Sequence, residues 1–159
     1  MKTEYDVIVV GGGPGGLFAA MEAAKAGSSV LLCERKREMG IPVRCGEAVG
    51  EVDFTKYIPM EERWIGAKIN TFILVLPNGK EVKLKNDIYT GFILNRDLFE
   101  YDLAVKASEA GAKILMKANV TDLIHSEDGS IKGIRVDEMG ETREYFASVV
   151  IAADGVESR

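Results

Sequence analysis

The sequence has little of what several function classes require. Its 159 residues include two cysteines, Cys33 and Cys45, and one histidine, His125. Two cysteines make no disulfide framework, no CxxC pair is present, and a lone histidine assembles neither a Ser-His-Asp set nor a metal-ligand spacing. Cys33, inside an apolar strand, reads as core, and His125, in a predicted strand, as structural. A block of positive charge is missing too. Twenty Lys and Arg face 25 Asp and Glu, the net charge is −5, and the nearest basic run, "ERKRE" at 34–38, is mixed in sign. No nucleic-acid partner is expected. No apolar run nears the roughly 18–20 residues that span a bilayer, and the N-terminus enters a strand instead of a cleavable leader. A cytoplasmic location is expected.

What the chain does have is glycine, seventeen residues placed where the pattern changes. "YDVIVV" (5–10) is a short continuous apolar run, the pattern of a strand buried on both faces. Glycines follow, then "LFAAMEAAKAG" (17–27), a helix closed by Gly27, then a second buried strand, "SSVLLCE" (28–34). Together they make a βαβ unit. A helix is predicted around 47–57, and Asn78-Gly79 signals a hairpin within 68–85. "GFILNRDLFEYDLAVKASEAG" (91–111) reads as a strand running into a helix opened by Asn95-Arg96. Its Leu98, Phe99, Leu103 and Ala107 recur at helical spacing before Gly111. Strands punctuated by Asp128-Gly129 and Met139-Gly140 follow. The expected fold is one α/β domain over residues 1–159, Rossmann-like, with a parallel sheet and an antiparallel β insert.

"GGGPGG" at 11–16 carries Gly11, Gly13 and Gly16 in G-x-G-x-x-G spacing, with Pro14 and Gly15 between, directly after a strand and before a helix. The first glycine permits a tight turn, the second lets a pyrophosphate approach the backbone, and the third lets helix and strand pack closely. The helix N-terminus offers its unpaired N–H groups to the phosphates. Glu34 ends the second strand, 18 residues beyond Gly16. A carboxylate there accepts hydrogen bonds from an adenosine ribose and repels a 2′-phosphate, which favours NAD or FAD over NADP, with Arg35 alongside. Instead of further βα units, the chain then breaks into a long loop and a β-rich insert.

These marks resemble a known family. "VVGGGPGG" (9–16), "ERK" (34–36), "PVRCGEAVG" (42–50), "NRDLFEYDLA" (95–104) and "VIAADGVESR" (150–159) are similar to the FAD-dependent geranylgeranyl reductases, within the class that includes p-hydroxybenzoate hydroxylase. "PVRCGEAVG" is the narrowest mark and resembles the archaeal digeranylgeranylglycerophospholipid reductases. The resemblance implies FAD as cofactor, with Gly15 on the pyrophosphate and Glu34 on the ribose. It implies that Arg44, Cys45, Gly46 and Ala48 pass the flavin end, that Arg96 reaches the pyrophosphate or ribityl chain, and that Val120 offers backbone to the adenine. The Asp154-Gly155 turn brings a carboxylate near the ribityl hydroxyls. One departure, Glu100 in place of the Asp many relatives carry, is expected on the helix surface.

The implied chemistry is hydride transfer from reduced FAD to a C=C bond of geranylgeranyl chains in isoprenoid lipids. Cys45 and Glu47 are the only candidates near the flavin edge for proton delivery. The implied partners are the lipid, a membrane surface at its periphery, and an electron donor, reduced ferredoxin or NAD(P)H. Relatives are longer, with a second Gly-Asp motif and a lipid-enclosing domain. The chain is therefore expected to be an N-terminal part, inactive alone, with exposed apolar surface. An FAD-dependent monooxygenase, an electron-transfer flavoprotein dehydrogenase and a non-catalytic nucleotide-binding module stay open as alternatives.

Overall fold

The structure is a computed structural model that describes residues 3–85 and 91–158; the last residue of the 150–159 motif lies outside the described residues. In chain order β1 is Glu4–Val10, α1 Pro14–Lys25, β2 Val30–Glu34, β3 Ala48–Gly50, α2 Glu51–Thr55 and β4 Ile65–Ile69. There follow β5 at Thr71–Val75, β6 at Glu81–Lys85, β7 at Gly91–Leu94 and α3 at Arg96–Glu109. The chain closes with β8 at Lys113–Met116, β9 at Ala118–His125, β10 at Ile131–Glu138 and β11 at Glu141–Ala152. Two compact units result, one built from the chain up to Ile41 and from Glu100 onward, the other from Pro42–Phe99.

The first unit is a six-stranded sheet in the order β8-β2-β1-β11-β10-β9. β1 pairs in parallel with both β2 and β11, β2 pairs in parallel with β8, and β9, β10 and β11 form an antiparallel meander. Every residue of β2 is buried, as its unbroken apolar run requires. Pro14 opens α1 where no backbone donor is needed, and Leu17, Ala20, Met21 and Ala24 form its buried stripe. Gly27, at φ +91°, ends it. A buried cluster joins Tyr5, Ile8, Leu31, Cys33, Ala118, Ile134, Val136, Tyr145 and Ala147. Tyr145 donates its hydroxyl hydrogen bond to Glu138, and Arg143 lies 3.6 Å from the same carboxyl group. Burial, then the Glu138 contact, pushes the Tyr145 hydroxyl up to about 12, and burial pushes the Cys33 thiol up to about 12.

The second unit contains a three-stranded sheet, β3-β7-β4, and a separate two-stranded ribbon, β5-β6. Trp64, fully buried, meets Phe99 edge-on at 5.2 Å between ring centroids, and Phe54 packs on Phe99 at 5.3 Å. The ribbon turns around Asn78-Gly79, with Gly79 at φ +78°.

Two sequence expectations are corrected. The helix expected around 47–57 is only Glu51–Thr55, because Ala48–Gly50 pairs with β7 as a strand and Glu47, at φ +61°, cannot continue a helix. Glu100 is not on the surface but 3% exposed. It stands three and seven residues before the buried Leu103 and Ala107, on the same helix face, and is engaged in an interaction there.

Candidate functional site

The site grows from the glycine turn between β1 and α1. Gly11, at φ +103°, lies so close to the end of β11 that a Cβ would sit 2.4 Å from the Ala153 carbonyl oxygen and 3.0 Å from the Asp154 Cα. A Cβ on Gly16 would be 1.9 Å from the Gly11 carbonyl oxygen. These two glycines let strand, turn and helix close on one another. Gly13 and Gly15 differ: a Cβ at either meets nothing within 4 Å. The middle of the motif is open space, and it opens at the start of α1, where no side chain caps the helix and no acidic residue occupies the first turn. Uncapped N–H groups beside open backbone are the donor set a pyrophosphate takes.

Glu34 closes the other side. It is 7% exposed, and both carboxylate oxygens are held by backbone. The Gly12 N–H donates to Oε2 at 2.6 Å and the Lys36 N–H to Oε1 at 2.8 Å. Each oxygen keeps a further lone pair for a ribose hydroxyl. A buried carboxylate held by two amides repels any second anion, a 2′-phosphate included.

The first unit therefore brings together Gly11, Gly13, Pro14, Gly15, Gly16, Glu34 and Asp154 around one turn. Asp154 is exposed and makes no capping hydrogen bond to the single 3-10 turn Gly155–Glu157 that follows. Arg35 is exposed beside Glu34. Val120 stands on β9 opposite Val136, partly buried against the central cluster. The remaining expected residues belong to the second unit. Arg44, Cys45 and Gly46 are exposed; the Cys45 Sγ accepts the Glu47 N–H at 3.4 Å, and the Glu47 carbonyl accepts the Leu94 N–H at 3.0 Å. Ala48 pairs with Ile93, and Arg96 is the first residue of α3. His125 is exposed at the β9-β10 turn with Nδ1 3.2 Å from the Gly129 carbonyl oxygen. Among the described residues no cluster of His, Cys, Asp or Glu is placed to hold a metal ion, and no helix is long and apolar enough to cross a membrane.

Gly12 was not legible as a site residue. The G-x-G-x-x-G spacing treats that position as arbitrary, yet its N–H is the donor that fixes Glu34, and a Cβ there would be 2.9 Å from Oε2. The signal available was a third consecutive glycine where the spacing asks for only two.

Residues 6–155 match the family of FAD dependent oxidoreductases. The chain belongs to this family. Among curated relatives of this flavoprotein chain, the digeranylgeranylglycerophospholipid reductase of Methanospirillum hungatei is 43% identical over all of the chain and 40% of its own length. That of Methanosarcina mazei is 41% identical over the same shares. The chain thus spans about two fifths of the curated relatives it matches. The crystal structure of a geranylgeranyl bacteriochlorophyll reductase-like protein from Thermoplasma acidophilum superposes with a TM-score of 0.86 at 36% identity, over 96% of this chain and 39% of that one. A myxobacterial FAD-dependent halogenase shares the fold at a TM-score of 0.76 and 20% identity. FAD is the cofactor of the family, and the open backbone at Gly13 and Gly15 with the buried Glu34 carboxylate fits its ADP half.

Proposed function

We propose that the chain is the N-terminal FAD-binding portion, over residues 1–159, of a flavin-dependent reductase acting on C=C bonds of geranylgeranyl chains in isoprenoid lipids. The carrying observation is the turn in which Gly13 and Gly15 leave backbone open while Gly12 holds the buried Glu34. Bound FAD, once reduced, supplies the hydride. The names of the reductases similar to this chain support the lipid as substrate. In this reading the α1 N-terminus binds the pyrophosphate, Glu34 takes the ribose hydroxyls, and the uncapped Asp154 carboxylate accepts from the ribityl hydroxyls beside Gly155. Arg96 neutralises pyrophosphate charge, Val120 offers its backbone to the adenine, and Arg44, Cys45, Gly46 and Ala48 run past the flavin. Cys45 and Glu47 are the candidates for holding the proton the second alkene carbon needs. The electron donor is reduced ferredoxin or NAD(P)H, and the enzyme meets its lipid at the membrane surface.

The test is a titration of the purified chain with FAD, followed by flavin absorbance after gel filtration, with NAD as competitor. Retained FAD that NAD does not displace supports the reading. Uptake of NAD in place of FAD, or of neither by folded protein, overturns it. Glu34→Ala is expected to weaken FAD binding at least tenfold, about 1.4 kcal/mol, because one charge-assisted contact is worth at least that.

A further inference from the structure

Beyond β2 the chain makes a tight corner that the glycine spacing does not demand. Glu38 and Ile41 form an antiparallel bridge, the Ile41 N–H donating to the Glu38 carbonyl at 3.5 Å. Gly40 between them takes φ +76°, the conformation a type II turn reserves for glycine at its third position. Met39, at the second position, is thereby aimed rather than left to swing with the loop. Its sulphur stands over Gly12: a Cβ there would be 3.0 Å from Met39 Sδ and 2.9 Å from Glu34 Oε2. The thioether and the carboxylate thus crowd the same point from the corner and from the end of β2. Gly12, Glu34 and Gly40 are buried, and Met39 is half-buried against them.

We infer that Met39 is a positioning residue of the adenosine-ribose site, a cover that holds Glu34 on the Gly12 amide and forms one wall of the ribose pocket. This rests on the FAD half-site reading given above. A thioether suits the task because it is polarizable, has no donor, and is too weak an acceptor to compete for the Gly12 N–H. By keeping water from the carboxylate it strengthens the two charge-assisted bonds that aim Glu34, and it lowers the dielectric in which a 2′-phosphate would meet that charge. Met39 therefore contributes to selection of ADP-type over 2′-phosphorylated nucleotides without touching the phosphates.

The experiment compares wild type with Met39→Leu and Met39→Ala by amide hydrogen exchange of the ligand-free protein and by calorimetric titration with ADP and 2′,5′-ADP. In Met39→Ala the Gly12 amide is expected to exchange at least tenfold faster while the Val9 amide in the core strand is unchanged. The Kd for ADP rises about tenfold and the preference over 2′,5′-ADP narrows; Met39→Leu, an apolar cover of similar size, restores both. Gly12 exchange and ADP affinity within twofold of wild type in Met39→Ala would overturn the assignment. So would acceleration at Val9 as well as Gly12, which marks a general loss of stability. Wild-type protein that takes up neither ADP nor FAD removes the half-site reading and the ribose assignment with it, an outcome separate from any effect of the variants.

Discussion

Gly15 and Gly16 are neighbours in sequence and opposites in structure. A Cβ on Gly16 would lie 1.9 Å from the Gly11 carbonyl, a rigid backbone atom, so Gly16→Ala is expected to destabilise the fold by more than about 3 kcal/mol, read by urea unfolding. At Gly15 a Cβ meets nothing and the residue is helical. Gly15→Ala should therefore raise stability by up to about 1 kcal/mol through helix propensity, yet, in the site proposed above, weaken FAD binding by placing a methyl group against the pyrophosphate. A change that improves the protein and damages the ligand site separates the two roles. Tyr145 makes a different case. Its hydroxyl is shifted upward from 10.0 to about 12 by burial and by Glu138, so the folded state favours the protonated phenol. The stability this provides is complete below pH 10 and is lost as pH rises through about 12; buried Cys33, raised from 9.0 to about 12, adds loss from pH 9 upward. Tyr145→Phe is expected to lower stability near neutral pH by about 1–3 kcal/mol and to flatten the decline between pH 10 and 12, measured by urea midpoints across that range.

At the scale of elements, the sequence was most legible where the signal is local. The strand, glycine turn, helix and second strand, the Asn78-Gly79 hairpin and the strand entering α3 all carry their own punctuation, and the structure has them. Glu34 was legible because an acidic residue ending a buried strand has few reasons to be there. β3 was not, because a three-residue strand exists only through its pairing with β7, which lies some forty residues away in sequence. The place of β8 beside β2 was likewise unreadable, since a parallel neighbour leaves no mark on either run. Met39 and Gly12 escaped because spacing says nothing of what packs across a turn. The β5-β6 ribbon invites a test of its own. The cross-strand pairs Phe72–Leu84 and Leu74–Val82 set four apolar side chains on one face, each between 44% and 63% exposed. A lone two-stranded ribbon is marginal in water. Its amides are expected to exchange faster than those of β1 and β2, and Leu74→Lys with Leu84→Lys should reduce self-association in sedimentation while changing stability by no more than about 0.5 kcal/mol.

On the scale of the whole molecule, the two units are made from different lengths of chain, one discontinuous and one continuous. Gly11–Gly16 and Glu34, the residues of the half-site proposed above, lie wholly in the discontinuous unit. A ligand there stabilises that unit by mass action, about 2.7 kcal/mol at a hundredfold excess over its Kd. FAD is therefore expected to raise the melting temperature of the six-stranded sheet, and of the second unit only to the extent that the two melt together. The protein holds its own means of telling these apart. Trp64 is the single tryptophan, is fully buried, and lies with Phe54 and Phe99 in the second unit, leaving the first without an indole. A blue-shifted emission is expected of this buried indole and would report the second unit alone, while circular dichroism sums both. Coincident transitions by the two spectroscopies mean one cooperative molecule. An emission red shift that precedes the loss of ellipticity would mean that the part of the chain bearing Cys45 and Arg96 loosens while the glycine turn is still folded.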